Sequence, residues 1–219
     1  MKKRDTEGTL GGGRFGRQAE AERNDLLVLE AARDVFAEQG ADAPVSAIAE
    51  RAGVGIGTLY RRYGSKEQLL QRLCVTGISS TIAELEAAAE PGGTGWEILA
   101  RYMAAAVQAR TGAFATLAGS FTLPPEVIAA NERAKELAER LLRGGHDDGT
   151  VRTDVTTLDI THVIEMFSRY PRRTELDEHA RHRMLALALD GLRGSHSGLP
   201  GPAPTWADYD RMWNHTPFR

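Results

Sequence analysis

The chain has 219 residues, of which 42% are apolar, 26% charged and 6% aromatic; that suits one or two domains with a sizeable buried core. Lys and Arg number 27 against 30 Asp and Glu, a net charge of −3, which excludes a polybasic coating protein but leaves local patches open. Cys74 is the only cysteine, so an intramolecular disulfide and a multi-cysteine zinc site are excluded, and no apolar run nears the ~20 residues of a bilayer span. No secretory-type apolar stretch follows Met1-Lys-Lys-Arg, and the expectation is a soluble, cytoplasmic protein with no membrane partner.

Residues 1–18 are rich in Gly, Lys and Arg and are expected to form a flexible basic arm. Lys2, Lys3, Arg4, Arg14 and Arg17 either thread a minor groove or belong to a disordered terminus. From about Glu20 to Arg193 the pattern is helical and period-two β-branched runs are nearly absent, so the fold class is all-α, with about nine helices. Gly40, Gly53, Gly64, Pro91-Gly-Gly, Pro124-Pro125, Gly144-Gly145 and Pro171 punctuate it.

The first long helix carries Leu26, Leu27, Leu29, Ala32, Val35 and Phe36 at i, i+3, i+4 spacing and stops at Gly40. Pro44 opens a short helix with the apolar face Ile48, Ala49 and Ala52. Gly53-Val-Gly leads into a second short helix, about Ile56 to Tyr63. Ser65 with Gln68 then reads as a capping box opening a long helix to about Glu90.

Two short helices joined by a glycine turn and braced by longer ones form a helix-turn-helix pattern. Within Gly57 to Tyr63 of the second, Leu59 is the one good core residue. Gly57, Thr58, Tyr60, Arg61, Arg62 and Tyr63 offer open backbone, hydroxyls and guanidinium groups, which suit phosphate oxygens and base edges. From Arg51 to Arg72 the charge is +4, which leaves −7 to the rest of the chain. A basic head on an acidic body suits double-stranded DNA, where phosphate neutralisation supplies most non-specific affinity. Gly55 and Gly57 also leave the helix entrance without bulk, so a phosphate can come close.

Three segments carry a specific resemblance: Ala31-Ala-Arg-Asp-Val-Phe-Ala-Glu-Gln-Gly, Ile48-Ala-Glu-Arg-Ala-Gly-Val-Gly-Ile-Gly-Thr-Leu-Tyr-Arg-Arg-Tyr and Ser65-Lys-Glu-Gln-Leu-Leu. Over about Arg23 to Leu73 the chain resembles the DNA-binding domain of the TetR (tetracycline repressor) family. The resemblance implies an all-α homodimer with an N-terminal DNA head and a larger C-terminal regulatory body. It carries the family's contact positions onto Thr58, Tyr60, Tyr63 and Lys66, with Arg61 and Arg62 as additional contacts. The alternative for Tyr60 and Tyr63 is half-buried packing, and for the arginine pair a solvated face. Gly55 stands where the family often has Ser, a loss of about 0.3 kcal/mol in capping. The implied organisation is an arm (1–18), a DNA-binding domain (19–73), a regulatory and dimerisation domain (74–193), and a linker with a short aromatic tail (194–219).

In the body, Val127, Ile128, Ala134, Leu137, Ala138, Leu141 and Leu142 form a helical stripe. Gly149-Thr-Val-Arg-Thr-Asp resembles the linker before the eighth helix of these regulators, with Asp154 or Thr156 as the cap. The next two helices carry more apolar surface than one core face needs. Ile160, Val163, Ile164, Phe167, Met184, Leu185, Leu187, Ala188 and Leu192 are therefore candidates for a homodimer interface. A two-fold dimer predicts an inverted-repeat operator. The resemblance further implies an unknown small-molecule effector, with Trp96, Leu99, Tyr102, Met103, Phe114, Leu117, Phe121, Met166 and Phe167 as pocket candidates; plain core is the alternative for each.

No cofactor and no metal is expected: His162/Glu165 and His179/His182 are lone i, i+3 pairs. Trp206, Tyr209 and Trp213 share a helical face in the tail and are expected to dock on the body. Gly-x-Ser-x-Gly and phosphate-loop motifs are missing, so catalysis is not expected. The leading expectation is a ligand-responsive homodimeric repressor; the alternative is a helical interaction protein that no longer binds DNA.

Overall fold

The computed structural model describes residues 12–40, 42–117, 119, 121–194 and 198–214, excepting the side chains of 12–25, 116, 208 and 212–214. The elements among them are helical: α1 (Gly12–Gln39), α2 (Val45–Ala52), α3 (Ile56–Tyr63), α4 (Lys66–Ala89), α5 (Gly95–Ala109), a 3-10 helix (Thr111–Leu117), α6 (Pro125–Asp147), α7 (Thr157–Ser168), α8 (Glu175–Gly191) and α9 (Trp206–Asn214). Thus the all-α expectation holds, whereas α1 begins at Gly12, inside the segment expected to be an arm. Propagating a helix adds a hydrogen bond for each residue fixed, so Arg14, Gln18 and Ala19 extend one nucleated further in. Lys2, Lys3 and Arg4 lie outside the described residues, as do the side chains of Arg14, Arg17 and Trp213.

The inward stripe of α1 is Val28, Leu29, Ala31, Ala32, Val35 and Phe36, all buried. Leu26 and Leu27, expected in that stripe, remain 59% and 51% exposed, because the core begins one residue later. Ile48 and Ala49 of α2, Leu59 of α3, and Leu69, Leu70 and Leu73 of α4 close the same core. The turn between α2 and α3 depends on Gly53, whose φ of 67° is left-handed. Its N–H donates to Glu50 O at 3.1 Å, and Val54 N–H donates to Ala49 O at 2.9 Å.

Ser65 Oγ accepts from Gln68 N–H at 3.1 Å, which is one half of the expected capping box. The Gln68 amide instead lies over Gly64, where a Cβ would stand. Complete boxes open three later helices: Thr94 with Glu97, Thr156 with Asp159, and Thr174 with Asp177. Thr156, not Asp154, therefore caps α7; the Asp154 carboxylate accepts from Arg152 at 2.6 Å and from Leu199 N–H at 3.0 Å.

α4 runs unbroken across residue 73, from the head core into a second core built on Leu85, Leu99, Met103, Ala106, Val107, Ile160, Ile164 and Phe167. Phe114, Leu117 and Val127 cross the other way, to the head core. The glycine pair Gly144-Gly145, expected to separate helices, lies inside α6, which passes through both. Gly145 leaves room for Val151, whose side chain a Cβ would overlap, and Gly95 of α5 packs on its backbone so closely that a Cβ on Gly95 would overlap Gly145. Ile128, expected in the α6 stripe, is 52% exposed.

α8 has two apolar faces. Arg181, Leu185 and Leu192 are buried against the body, while Leu176 (76% exposed), Met184 and Leu187 (69%) stand on the opposite side at i, i+8, i+11. A polar chain ties head to body. Arg51 of α2 donates to Glu38 Oε2 at 2.8 Å and lies 3.8 Å from Asp34. Arg110 Nη1 donates to Asp34 Oδ1 at 2.8 Å, and its Nε donates to Ser168 O at the end of α7, also at 2.8 Å. Arg110 has φ 55°, a left-handed conformation that costs about 1 kcal/mol outside glycine and is held here by these bonds.

Candidate functional site

α3 is short, so its exposure is settled by few residues. Leu59 is 2% exposed and anchors the helix to the head core. Gly57, Thr58, Tyr60, Arg61 and Arg62 are exposed, Tyr60 at 47%, whereas Tyr63 is half-buried against the core and Lys66, at the start of α4, is half-buried too. The N-terminal end of α3 is open: Gly55 is its N-cap without a side-chain bond, and a Cβ on Gly57 would meet nothing within 4 Å. Gly57 is therefore not demanded by the packing of this chain. The charge is distributed less simply than the sequence suggests. Arg51 is bound to Glu38, which holds that carboxyl below its usual range; Arg61, Arg62, Lys66 and Arg72 are the other basic residues of the stretch.

The body holds a cavity of about 140 Å³ between α4, α5, the 3-10 helix, α6, α7 and α9. Its wall is largely apolar, with Cys74, Ile78, Leu85, Phe114, Val127 and Ile164, and carries polar stations at Thr81, Asn131, Lys135, Thr161 and Glu165. Burial pushes the Cys74 thiol up to about 12, leaving it protonated and inert. Burial also raises the Glu165 carboxyl, partly offset by Tyr209, whose hydroxyl donates to Glu165 Oε1 at 2.7 Å. Lys135 lies 4.7 Å from the Trp206 ring centroid and donates to Glu132 and to Asp210 Oδ1, at 2.9 and 3.2 Å. Its burial lowers the ammonium, but those bonds outweigh that and leave it raised.

Of the expected pocket residues, Tyr102 and Phe114 stand on this wall. Leu99 faces a second space of about 10 Å³. Met103, Leu117 and Phe167 are closed inside the two cores, and Phe121 packs on the head core. Trp96 donates its indole N–H to Leu189 O at 3.1 Å and carries Arg193 on its face, and Met166 is 53% exposed on the outward side of α7. Of the expected interface, Ile160, Ile164, Phe167, Leu185 and Leu192 are consumed by the body's own core, Val163 and Ala188 are half-buried, and Met184 and Leu187 stay exposed.

The cavity residues missed in the sequence include apolar ones, Ile78, Leu85, Val127 and Ile164, as well as small and polar ones, Gly77, Thr81, Asn131, Thr161 and Glu165. Glu165 alone leaves a signal, as a carboxylate among the apolar residues of α7. Its i, i+3 partner His162 is exposed while Glu165 is buried. Among the described residues no group of three or more His, Cys, Asp or Glu is placed to hold a metal ion.

The sequence model described as bacterial regulatory proteins, tetR family, matches residues 28–73. A second, described as the C-terminal domain of SbtR-like transcriptional regulators, matches residues 90–194. No curated protein matches the chain. Among solved structures, a TetR transcription regulatory protein from Mycobacterium vanbaalenii is 28% identical with a TM-score of 0.51, over 80% of this chain and 98% of its own. The TetR family transcriptional regulator PfmR from Thermus thermophilus is 27% identical with a TM-score of 0.53, over 78% and 99%. The ketosteroid transcriptional regulator KstR2 of Mycobacterium tuberculosis shares the fold at 23% identity and a TM-score of 0.55, over 79% and 96%.

Proposed function

The chain belongs to the tetR family of bacterial regulatory proteins, and from that premise we propose that it is a homodimeric repressor that binds an inverted-repeat operator and is released by a small molecule held in the body cavity. The observation that carries this reading is the face of α3: one leucine inward, with threonine, tyrosine and two arginines outward beyond the exposed Ile56 of its first turn. In the major groove, Thr58 and Tyr60 reach base edges or the sugar–phosphate backbone. Arg61, Arg62 and Lys66 neutralise phosphates, and Tyr63, seated on the core, adds its hydroxyl. The open amide end at Gly55 and Gly57 lets a phosphate approach the helix dipole.

Dimerisation goes through the outward faces of α7 and α8, where Met166, Leu176, Met184 and Leu187 lack cover within the protomer. Residues such as Ile160 and Phe167 support that surface from beneath. Two heads related by a two-fold axis then read half-sites one DNA turn or a multiple apart. An effector acts by favouring a body conformation whose heads are wrongly spaced. The chain from Ser168 through Arg110 and Asp34 to α1 and Arg51 supplies a rigid connection between the dimer helices and the head.

The test is to sequence the DNA fragments that the protein captures from its own genome. A shared inverted repeat bound by one dimer is the expected result. Capture without sequence preference, or no capture, contradicts the proposal.

A further inference from the structure

Inside the cavity the protein shows one example of what its wall recognises. Tyr209 of α9 reaches the wall and gives its phenol hydrogen to Glu165, which is 7% exposed. The surroundings are apolar, with Ile78, Phe114 and Ile164 among them. A volume of about 140 Å³ is close to the ~150 Å³ of an apolar cavity that accepts one benzene ring. The wall is largely apolar and Lys135 is already paired with Glu132 and Asp210, so an ammonium brought into the space gives up its hydration at a cost that a neutral hydroxyl does not carry.

We infer that the cavity takes a monocyclic phenol or a hydroxyaromatic of similar size, whose hydroxyl replaces that of Tyr209 on Glu165 and so loosens α9 from the body. This rests on reading the cavity as the effector site. It adds the ligand's chemical class and makes α9 an internal competitor. The contacts that hold α9 suit that role: Lys135 to Asp210 at 3.2 Å, the Lys135 ammonium on the Trp206 ring, and the Tyr209 bond itself. The first two lie toward the rim, where Asp210 is 46% exposed, while the third closes the buried carboxylate. An incoming phenol exchanges like for like at Glu165, so the polar atom of the wall is never left without a partner.

The test uses the full chain and three probes with the same ring: p-cresol, which is the tyrosine side chain itself, toluene and benzylamine. Binding is read by calorimetry without DNA. In the parent, where the phenol bond made to Glu165 is offset by the Tyr209 bond broken, p-cresol and toluene should bind within about threefold of each other, with benzylamine weakest. Tyr209→Phe keeps the ring, removes the competing hydroxyl and should tighten p-cresol about tenfold while leaving toluene unchanged. Adding Glu165→Leu to Tyr209→Phe should erase the preference for the hydroxyl. Equal binding of p-cresol and toluene by the Tyr209→Phe variant, tighter benzylamine, or a Tyr209→Phe variant indistinguishable from the parent overturns the inference. Failure of all three probes to bind either protein overturns both the inference and the effector reading of the cavity. Selective p-cresol binding that leaves DNA affinity unaltered upholds the ligand class and contradicts the effector reading.

Discussion

α3 and α8 each turn one side away from the protein that folds them, and the two sides are chemically opposite. α3 buries Leu59 and turns out Thr58, Tyr60, Arg61 and Arg62, whereas α8 buries Arg181 with Leu185 and turns out Leu176, Met184 and Leu187. Burial among the described residues accounts for neither outward set. An arginine pair gains little from water-exposed packing, and bare leucines lose about 25 cal/mol for each Å² left wet. Each outward set fits a partner instead, a polyanion for the first and a second copy of the same apolar stripe for the second.

The sharpest break of this contrast is to give α8 the polarity of α3. Leu176→Glu together with Leu187→Glu should weaken self-association by at least ~10³-fold, from lost apolar burial and like charges facing across the axis. Sedimentation should show monomers, and DNA affinity should fall with them; an intact dimer would put the interface elsewhere. Next in size is the tie between the regions. Arg110→Ala removes the Asp34 and Ser168 bonds and should cost about 2 kcal/mol, discounted from a fully buried pair because Asp34 is 39% exposed. Denaturant unfolding measures that loss, and an unchanged midpoint contradicts the role given to the tie.

Gly57→Ala separates the two purposes of α3. Alanine should stabilise the helix by about 0.8–1 kcal/mol, and its methyl group meets nothing in the protein. Operator affinity should nonetheless fall about tenfold if DNA backbone comes against that position; filter binding and thermal melts should move in opposite directions. The smallest effect concerns the body. Burial pushes the Glu84 carboxyl up to about 7, with Arg33 opposing. The folded state then keeps a proton that the unfolded chain gives up near its usual 4.5, so stability falls as pH rises between those values. Glu84→Gln should raise Tm by about 2–4 °C at about pH 8 and not at about pH 4.5; a gap that ignores pH would contradict this.

The head is legible because its signals are local. Gly53, Ser65 and the lone Leu59 each state a turn, a cap or an inward face within a few residues. The +4 charge of that stretch overstates its basic surface for the opposite reason: Glu38, which binds Arg51, lies thirteen residues upstream. Apolar periodicity shows that Met103, Leu117 and Phe167 are inside, but periodicity does not say whether the neighbour is protein or open space. The cavity takes one face from each of several helices, and on α4 that face mixes apolar Cys74, Ile78 and Leu85 with Gly77 and Thr81, which an apolar count passes over. Gly144-Gly145 looks like a break because glycine weakens helices, whereas here Gly145 makes room for the Val151 side chain inside an unbroken helix.

The central claim is that the outward side of α3 neutralises DNA phosphates in duplicate. Counting Arg61, Arg62, Lys66 and Arg72 in each head, and leaving out Arg51 because it is bound to Glu38, the slope of log K against log salt should be about −7 for a dimer. The Arg61, Arg62 and Lys66 triple-alanine protein should bind far more weakly with a slope of about −2. Equal affinity and equal slope for the two proteins would contradict the account.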